Sequence, residues 1–266
     1  MNIFGGHLFK NRNLFSQTLA VHPPIRPFII VSSVESTNNY AMAKLHKRLL
    51  QHETSIFAIG QTSGKGQRGK QWFSPPGENI TMSTVFKGLP GNGAGVFPFL
   101  TSASIALGCY DFFKELNVQD VTIKWPNDVY INDRKAGGIL IENTFQGNRI
   151  EWTVAGTGIN LNQIDFEGLS RATSISMATG LRYDPVIMGR SLQHAICSRY
   201  AALERATADA IMREYNGKLY RAGEEVKLKK ENAVFTTRLV SVTAAGELIT
   251  HDSVERKFRV GEVEFV

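Results

Sequence analysis

Residues 61–83 read QTSGKGQRGKQWFSPPGENITMS and concentrate glycines and cations in one short stretch. Glycines alternate with basic residues, in the order Gly64, Lys65, Gly66, Arg68, Gly69 and Lys70. Glycines let a backbone approach an anion closely, and neighbouring ammonium and guanidinium groups neutralise its charge. The stretch therefore predicts a loop that binds the phosphates of a nucleotide. An unliganded surface loop is the alternative, because Gly and Lys also mark such loops.

The glycine spacing departs from both common nucleotide-binding fingerprints. Gly64 follows Gly60 too closely for a P-loop, and Gly66 follows Lys65 where a P-loop needs Ser or Thr. Residues 64–69 have the glycine spacing of a dinucleotide site, but a tryptophan and two prolines follow instead of a helical pattern. These two classes of nucleotide site are therefore excluded.

Residues 124–128, KWPND, form a second polar cluster. The preceding residues 121–123, VTI, are typical of a strand, and Pro126 ends regular strand pairing. A cation, an amide and a carboxylate thus gather at one strand end as Lys124, Asn127 and Asp128. This arrangement predicts an active site, whereas an ordinary turn with Asn and Asp as turn formers is the alternative.

The hydrophobic periodicity predicts an α+β fold. A strand at 28–32 precedes a helix that starts at Ser36 or Thr37 and carries Ala41, Leu45 and Leu49 on one face. Further helices are expected at 98–116 and from 185 to about 215. Strands at 121–125, 129–131, 138–142 and 150–155 predict an antiparallel meander. Short strands at 226–229, 235–242, 247–250 and 257–260 predict a small β-barrel.

The composition bounds the class of protein. The chain has 266 residues, 42% of them hydrophobic, which is typical of a globular domain with a small appendix. No apolar run approaches the roughly 18 residues of a membrane span. Cys109 and Cys197 lack metal-ligand spacing and are expected to be buried free thiols in a reducing compartment, which favours a cytoplasmic location. The net charge of +6 suits a nucleic-acid binder, an acidic partner or an anionic substrate.

Five segments resemble the biotin protein ligases, in the same order along the chain. They are residues 35–38 (ESTN), the glycine-rich loop, residues 124–128, residues 135–142 (KAGGILIE) and residues 156–162 (GTGINLN). The resemblance covers roughly residues 28–266. The family loop usually reads Gly-Arg-Gly-Arg-x-Gly-Arg, whereas this chain has Lys65, Gln67 and Lys70 at the positions of those arginines. Lysine lacks the bidentate fork of arginine, so the phosphate contacts carry over best to Arg68.

The resemblance implies a fold and a division into domains. It implies a mixed, largely antiparallel sheet with packed helices, like that of class II aminoacyl-tRNA synthetases and of biotin/lipoyl ligases, over residues 28–220. It also implies an SH3-like C-terminal domain at 221–266, which leaves 1–27 as an N-terminal extension. A segment of 27 residues is too short for the winged helix of the repressor-type ligases, because domains below about 40 residues rarely fold unaided. We therefore expect the short form of the family. A transit peptide is the alternative for this segment.

The resemblance also implies a reaction in two steps. The biotin carboxylate attacks the α-phosphate of ATP to give biotinyl-5′-AMP, and a lysine of a biotin carboxyl carrier domain then displaces AMP. The expected participants are biotin, ATP, Mg²⁺ and the carrier domain of a biotin-dependent carboxylase. We expect a monomer or homodimer that binds neither DNA nor a membrane. A mixed anhydride hydrolyses in water, so residues 63–71 are expected to be mobile and to close on the ligand.

Site residues carry over from the family onto the matching positions. Catalysis is assigned to Lys124, which would bridge the carboxylate and the α-phosphate, with help from Arg68. Biotin binding is assigned to Ser36, Thr37, Asn38, Gln61, Lys65, Gly66, Gln67, Lys124, Gly137 and Gly138. Nucleotide binding is assigned to Lys65, Arg68, Lys70, Trp72 and Asn127, and metal binding to Asp128.

Two other functions remain open from the sequence. Lipoate ligases and octanoyltransferases share the catalytic fold, although the KWPND cluster and the C-terminal barrel favour biotin. A non-catalytic nucleic-acid-binding protein would account for the positive charge alone, and it would show salt-sensitive binding of oligonucleotides without adenylation.

Overall fold

The computed structural model describes residues 26–88 and 98–266, and their main feature is a seven-stranded sheet. Its strands are β1 Phe28–Val34, β2 Ser55–Gln61, β3 Ile80–Lys87, β4 Val121–Lys124, β5 Asp128–Ile131, β6 Arg134–Gln146 and β7 Arg149–Ile159. They lie in the order β1-β2-β3-β7-β6-β5-β4, with β1 parallel to β2 and the remaining neighbours antiparallel. The prediction of a mixed, largely antiparallel sheet is confirmed. The predicted N-terminal extension lies almost entirely outside the described residues.

Helices cover both faces of this sheet. They are α1 Thr37–His46, α2 Pro98–Glu115, α3 Ile175–Thr179, α4 Pro185–Ala202 and α5 Ala208–Asn216. Successive strand residues point to opposite faces, and accordingly Phe57 packs in the large core with α2 and α4 while its neighbour Ile56 packs under α1. The larger helices meet at Gly108, where a side chain would collide with the backbone of Ile196.

Two predicted helices end differently from expectation. Helix α1 ends at His46, and Arg48 then takes a left-handed backbone with φ of 55°, so Leu49 leaves the apolar face and is exposed. The predicted helix from 185 to about 215 is two helices, because α4 ends at Ala202 and Thr207 caps α5 by accepting from the Ala210 amide. A local capping group thus overrides the continuous apolar periodicity.

The C-terminal residues form a second, five-stranded antiparallel sheet that fits an SH3-like domain. Its strands are β8 Glu225–Lys230, β9 Ala233–Val242, β10 Leu248–His251, β11 Glu255–Phe258 and β12 Glu264–Phe265, in the order β11-β10-β9-β8-β12. Its apolar face continues the core of the larger sheet, and the Trp125 indole donates to the Gly246 carbonyl at 3.0 Å. The proposed division at residues 220/221 stays a prediction. Among the described helices, none has the length and apolar character of a membrane span.

Candidate functional site

The first candidate site is a small cavity over the middle of the seven-stranded sheet, which we call the sheet pocket. It has a volume of about 60 Å³ and is lined by the start of α1, the glycine-rich loop and strands β2, β3, β6 and β7. The predicted residues that line it are Ser36, Thr37, Asn38, Gln61, Lys65, Gly66, Gln67, Trp72, Asn127 and Gly138. Residues from distant parts of the sequence therefore meet where the two predicted clusters adjoin.

The start of α1 presents polar groups to the sheet pocket. Ser36 holds the N-cap position, but its hydroxyl makes no capping hydrogen bond. The Thr37 amide donates to Gln61 Oε1 at 2.8 Å, which leaves Gln61 Nε2 as a hydrogen-bond donor. Ser36 and Thr37 are almost fully buried. The pocket thus holds hydroxyl and amide groups that are ready to bind a polar ligand.

Both polar atoms of the Asn38 side chain, Nδ2 and Oδ1, have hydrogen-bond partners within the protein. Its Nδ2 donates to Glu142 Oε2 at 2.7 Å and to the Leu140 carbonyl at 3.3 Å. Its Oδ1 accepts from the Ser83 hydroxyl at 2.6 Å, and Ser83 Oγ also lies 2.7 Å from Thr37 Oγ1. Asn38 therefore organises the wall of the pocket with Ser83 and Glu142, and the sequence analysis had assigned no role to those two residues.

Trp72 fills part of the sheet pocket. Its indole lies against Gly138 and Gly158, so that any side chain at Gly158 would clash with the ring. Its Nε1 is buried and has no hydrogen-bond partner among the described residues. Gly137, in contrast, faces the core, where a side chain would meet Ile159 Cδ1. Adjacent glycines of one strand thus serve opposite faces, and only Gly138 lines the pocket.

A second and larger cavity, which we call the junction cavity, adjoins the sheet pocket. It has a volume of about 390 Å³ and lies between the loop at 66–72, residues 124–128 and the C-terminal segment 260–265. Arg68 and Lys70 line this cavity and not the sheet pocket. Arg68 has a left-handed backbone with φ of 56°, and its guanidinium reaches Glu264 at 3.5 Å. The loop therefore spans both cavities, with Gly66, Gln67 and Trp72 shared between them.

Lys124 lies in the junction cavity, inside an aromatic cage. Its Nζ donates to the Tyr130 hydroxyl at 3.1 Å and lies 4.7 Å from the ring centres of Tyr130 and Phe265 and 5.5 Å from that of Tyr220. Burial lowers the pKa of Lys124 to about 8, although the Asp128 carboxylate acts in the opposite direction. Within the described residues Lys124 makes no salt bridge. It is therefore a cation that an incoming anion could recruit.

The turn between β4 and β5 provides the remaining assigned groups. Asn127 Nδ2 donates to the Ile139 carbonyl at 2.5 Å, and the Asp128 carboxylate pairs with Lys135 at 2.7 Å. No group of three His, Cys, Asp or Glu side chains in the described ranges could hold a metal ion. A single carboxylate that is already paired with a lysine does not make a built magnesium site, so the residues present do not fit a protein-held metal.

Several side chains in or behind the two cavities have no role in the expectations from the sequence. They are Ser83, Tyr130, Lys135, Glu142, Tyr220 and Phe265. Ser83 carried a usable signal, because it is a polar residue in the largely apolar run ITMSTVF at 80–86. Phe265 carried none, since it lies about 140 positions from Lys124 and only the fold brings the two together.

Residues 30–160 match the model of the Biotin/lipoate A/B protein ligase family. Over 132 residues the chain is 33% identical to the bifunctional ligase/repressor BirA of Escherichia coli, which covers 50% of this chain and 40% of that protein. Over 108 residues it is 34% identical to a biotin–[acetyl-CoA-carboxylase] ligase of Paracoccus denitrificans, which covers 40% and 43%. The chain thus spans less than half the length of these curated relatives.

Solved structures show the same fold over nearly the whole chain. A biotin protein ligase from Aquifex aeolicus in complex with biotin and ATP aligns with a TM-score of 0.75, covering 91% of this chain and 99% of that chain at 24% identity. A ligase from Leishmania major in complex with biotin aligns with a TM-score of 0.62 at 21% identity. Residues 30–160 of this chain are therefore similar to the Biotin/lipoate A/B protein ligase family, and the chain has the fold of the biotin protein ligases.

Proposed function

We propose that this protein is an ATP-dependent biotin ligase, which forms biotinyl-5′-AMP and transfers biotin to a lysine of a carrier domain. The observation that carries the proposal is the polar wall of the sheet pocket. A cyclic urea has one carbonyl acceptor and two N–H donors, and Ser36, Thr37 and Gln61 offer hydroxyl and amide partners for such a group. Glycines and the apolar side chains of Met82, Ile139 and Leu140 also line the pocket, beside further polar residues, and these apolar surfaces suit a fused ring with an aliphatic tail.

The junction cavity has the charge that adenylation requires. The biotin carboxylate forms a bond to the α-phosphorus while the bond from that phosphorus to the bridging oxygen breaks, and pyrophosphate leaves. Lys124, Arg68 and Lys70 line this cavity and would offset the charge of the two reacting anions. Lys124 would leave the Tyr130 hydroxyl for the carboxylate and α-phosphate, because their opposite charge outweighs a neutral acceptor.

The second step would use the same cavity. The carrier lysine, as a neutral amine, attacks the acyl carbon of biotinyl-AMP; the C–N bond forms, the C–O bond to phosphate breaks, AMP leaves and the amine loses a proton. The carrier domain of a biotin-dependent carboxylase is the proposed partner. Mg²⁺ would accompany the ATP phosphates, since the chain offers no built metal site among its described residues. Two buried free thiols favour a reducing compartment such as the cytoplasm.

The loop has to open before biotin enters. The sheet pocket measures about 60 Å³ with Trp72 inside it, whereas pockets for small organic ligands span roughly 300–1,000 Å³. We expect residues 63–71 to move away together with Trp72 and to close again over the adenylate. Limited proteolysis tests this: cleavage within the loop should slow when biotin and ATP are added, and equal protection without ligands would contradict it.

Biotin-dependent exchange of labelled pyrophosphate into ATP tests the proposed function directly. Reactions would contain Mg²⁺ and one acid, either biotin, lipoate or octanoate, and a parallel reaction would contain no acid. We expect exchange with biotin alone. Exchange with lipoate or octanoate instead would assign the chain to the other branch of the family. No exchange together with salt-sensitive binding of oligonucleotides would support the non-catalytic alternative.

A further inference from the structure

Behind the sheet pocket, four polar side chains are joined by hydrogen bonds into a hydrogen-bonded chain. The proposed function does not specify which residues form this chain or which of them donate the hydrogen bonds. The chain links Glu142 on β6 to Asn38 on α1, then Ser83 on β3, then Thr37 at the start of α1. The three distances are between 2.6 and 2.7 Å. Ser83 is fully buried and Asn38 and Thr37 are nearly so. Buried hydrogen bonds of this length hold their groups in one arrangement.

The acceptor groups at one end set the direction of every hydrogen bond in the chain. Asn38 Nδ2 faces a carboxylate oxygen of Glu142 and the Leu140 carbonyl, and both can only accept. The other amide atom, Oδ1, is therefore the oxygen that faces Ser83, so the Ser83 hydroxyl must donate to it. Ser83 has a single hydroxyl hydrogen. Ser83 Oγ and Thr37 Oγ1 lie 2.7 Å apart. Because the single Ser83 hydrogen goes to Asn38, the hydrogen between the two hydroxyls must come from Thr37, which then keeps only lone pairs for the pocket.

The direction of this chain determines which ligand atom can lie beside Thr37. A ligand N–H finds an acceptor there, whereas an ether oxygen or a sulfur at the same point meets lone pairs. The two neighbouring groups differ, because Gln61 Nε2 is a donor and the Ser36 hydroxyl is free to rotate. The pocket thus combines an acceptor for a ring N–H with donors for a ring carbonyl, which is the pattern of a urea.

We propose that Glu142, Asn38 and Ser83 are positioning residues that hold the Thr37 hydroxyl as an acceptor, so that the sheet pocket selects a ligand with a ring N–H at that point. The proposal rests on the proposed function, since it concerns the biotin end of that site. It also explains why this pocket would bind biotin and not lipoate, the ligand of other members of the family. Lipoate carries a dithiolane ring without N–H groups, and a pocket built for hydrogen bonds rejects a ligand that leaves them unmade.

Calorimetric binding of biotin and two analogues tests this inference. In each analogue, one ureido N–H is replaced by an oxygen, which gives two isomeric cyclic carbamates of nearly the same shape. The wild type should bind biotin at least about 100-fold more tightly than the isomer whose oxygen faces Thr37, because a buried acceptor is then left without its donor. In Ser83→Ala the Thr37 hydroxyl can turn, so biotin should bind about tenfold more weakly and that isomer no more weakly.

The matched control is Ser55→Ala, which removes another fully buried serine on a neighbouring strand. Ser55 Oγ lies 2.7 Å from Thr84 Oγ1, and neither residue lines the sheet pocket. This variant should keep the wild-type preference for biotin over the carbamates. If Ser83→Ala is unfolded by circular dichroism, Thr37→Val serves in its place and should lose the same preference.

The outcomes separate this inference from the proposed function. A wild type that binds no biotin would overturn both. A wild type that binds biotin, with Ser83→Ala weakening all three ligands by one common factor, would overturn the positioning role and leave the proposed function standing. An unchanged preference in Thr37→Val would also overturn it.

Discussion

The sheet pocket and the junction cavity adjoin each other but are built in opposite ways. The sheet pocket lies against strands and the start of α1, with the glycine-rich loop over it, and the Asn38, Ser83 and Thr37 side chains of its wall are hydrogen-bonded to one another. Loop ends and the last residues of the chain surround the junction cavity, where Lys124 is held by aromatic rings and one hydroxyl. Rigid polar groups suit recognition of a neutral ring, and a cation such as Lys124, which makes no salt bridge within the described residues, suits a charged ligand that arrives and leaves.

We propose that the sheet pocket recognises the ligand and that the reaction takes place in the junction cavity. Under the proposed function, changes in the sheet pocket should alter ligand affinity and selectivity. Changes in the junction cavity should alter the rate of adenylation at nearly constant affinity for biotin, because a group that acts mainly in the transition state affects kcat more than binding.

Removal of the caged lysine should have the largest effect. We expect Lys124→Ala to lower biotin-dependent pyrophosphate exchange by about 100-fold or more, as loss of a charged transition-state contact does elsewhere. Biotin binding measured by calorimetry should change by less than about tenfold, since Lys124 does not line the sheet pocket. Lys230→Ala is the control, because Lys230 also lies over a ring, that of Phe258, outside both cavities. A larger loss in binding than in rate would contradict the separation.

A side chain at Gly158 should produce the next largest effect. Gly158→Ala places a methyl group where the Trp72 indole lies, so the loop cannot close over the sheet pocket. We expect KM for biotin in the exchange assay to rise by about tenfold, equivalent to about 1.4 kcal/mol. Gly60→Ala is the control, because a methyl group there makes only ordinary contacts with Pro76, at 3.5 Å. Equal KM values in the two variants would show that Trp72 need not return to its place against Gly158.

The aromatic cage should set the pH at which activity falls. Proposed catalysis needs protonated Lys124, whose pKa burial lowers to about 8, so exchange should decline as pH rises through about 8. Phe265→Ala opens the cage to water, which relieves the largest cause of that shift, and the decline should move to higher pH. Lys135, Arg171 and Arg221 oppose the lysine charge in both proteins, and Asp128 favours it.

The pH–rate profile of biotin-dependent exchange, measured from pH 6 to 10, provides this test. Phe235→Ala is the control, since Phe235 packs on Phe258 within the C-terminal sheet and does not contact Lys124. A decline at the same pH in wild type and Phe265→Ala would show that the cage does not control the lysine charge. The contact with Phe265 itself is worth about 0.5–2 kcal/mol, so a modest fall in thermal stability should accompany the shift.

The smallest effect is expected at the salt bridge between the loop and the C-terminal sheet. Arg68 and Glu264 meet at 3.5 Å with side chains 53% and 59% exposed. Such pairs contribute about 0–1 kcal/mol, so Glu264→Gln should leave the free energy of unfolding in urea nearly unchanged. A loss above about 2 kcal/mol would show that the bridge fastens the loop to the C-terminal sheet.

The sequence predicted which motifs contribute to the site, but it did not predict which of the two cavities each residue lines. The glycine-rich loop, the strand-end cluster and the start of α1 were recognisable because each combines residue types that local chemistry explains. The distribution of those residues over two cavities was not recognisable. Lys124 was assigned to biotin as well as to catalysis, yet the structure places it in the junction cavity with Arg68 and Lys70, and these assignments stay proposals.

Residues that look equivalent in the sequence also have different surroundings in the structure. Gly137 and Gly138 are identical in the sequence, but one faces Ile159 in the core and the other faces Trp72 in the pocket. Leu49 continued the apolar stripe of α1 in the sequence, yet a left-handed Arg48 ends the stripe before it. Side-chain spacing indicates that a face exists, and the backbone path decides what lies opposite it.

Taken by itself, the sequence determined the chemical character of this protein: a phosphate-type loop, a cation with a carboxylate at a strand end, and α+β periodicity ending in short strands. These features depend on residue type and on contacts within a few positions. The tertiary structure alone decided that Phe265 and Tyr220 enclose Lys124, and that Glu142, Asn38 and Ser83 orient the Thr37 hydroxyl. Those contacts join residues that are distant in the chain, and they form only when the strands pair and the C-terminal sheet packs against the larger one.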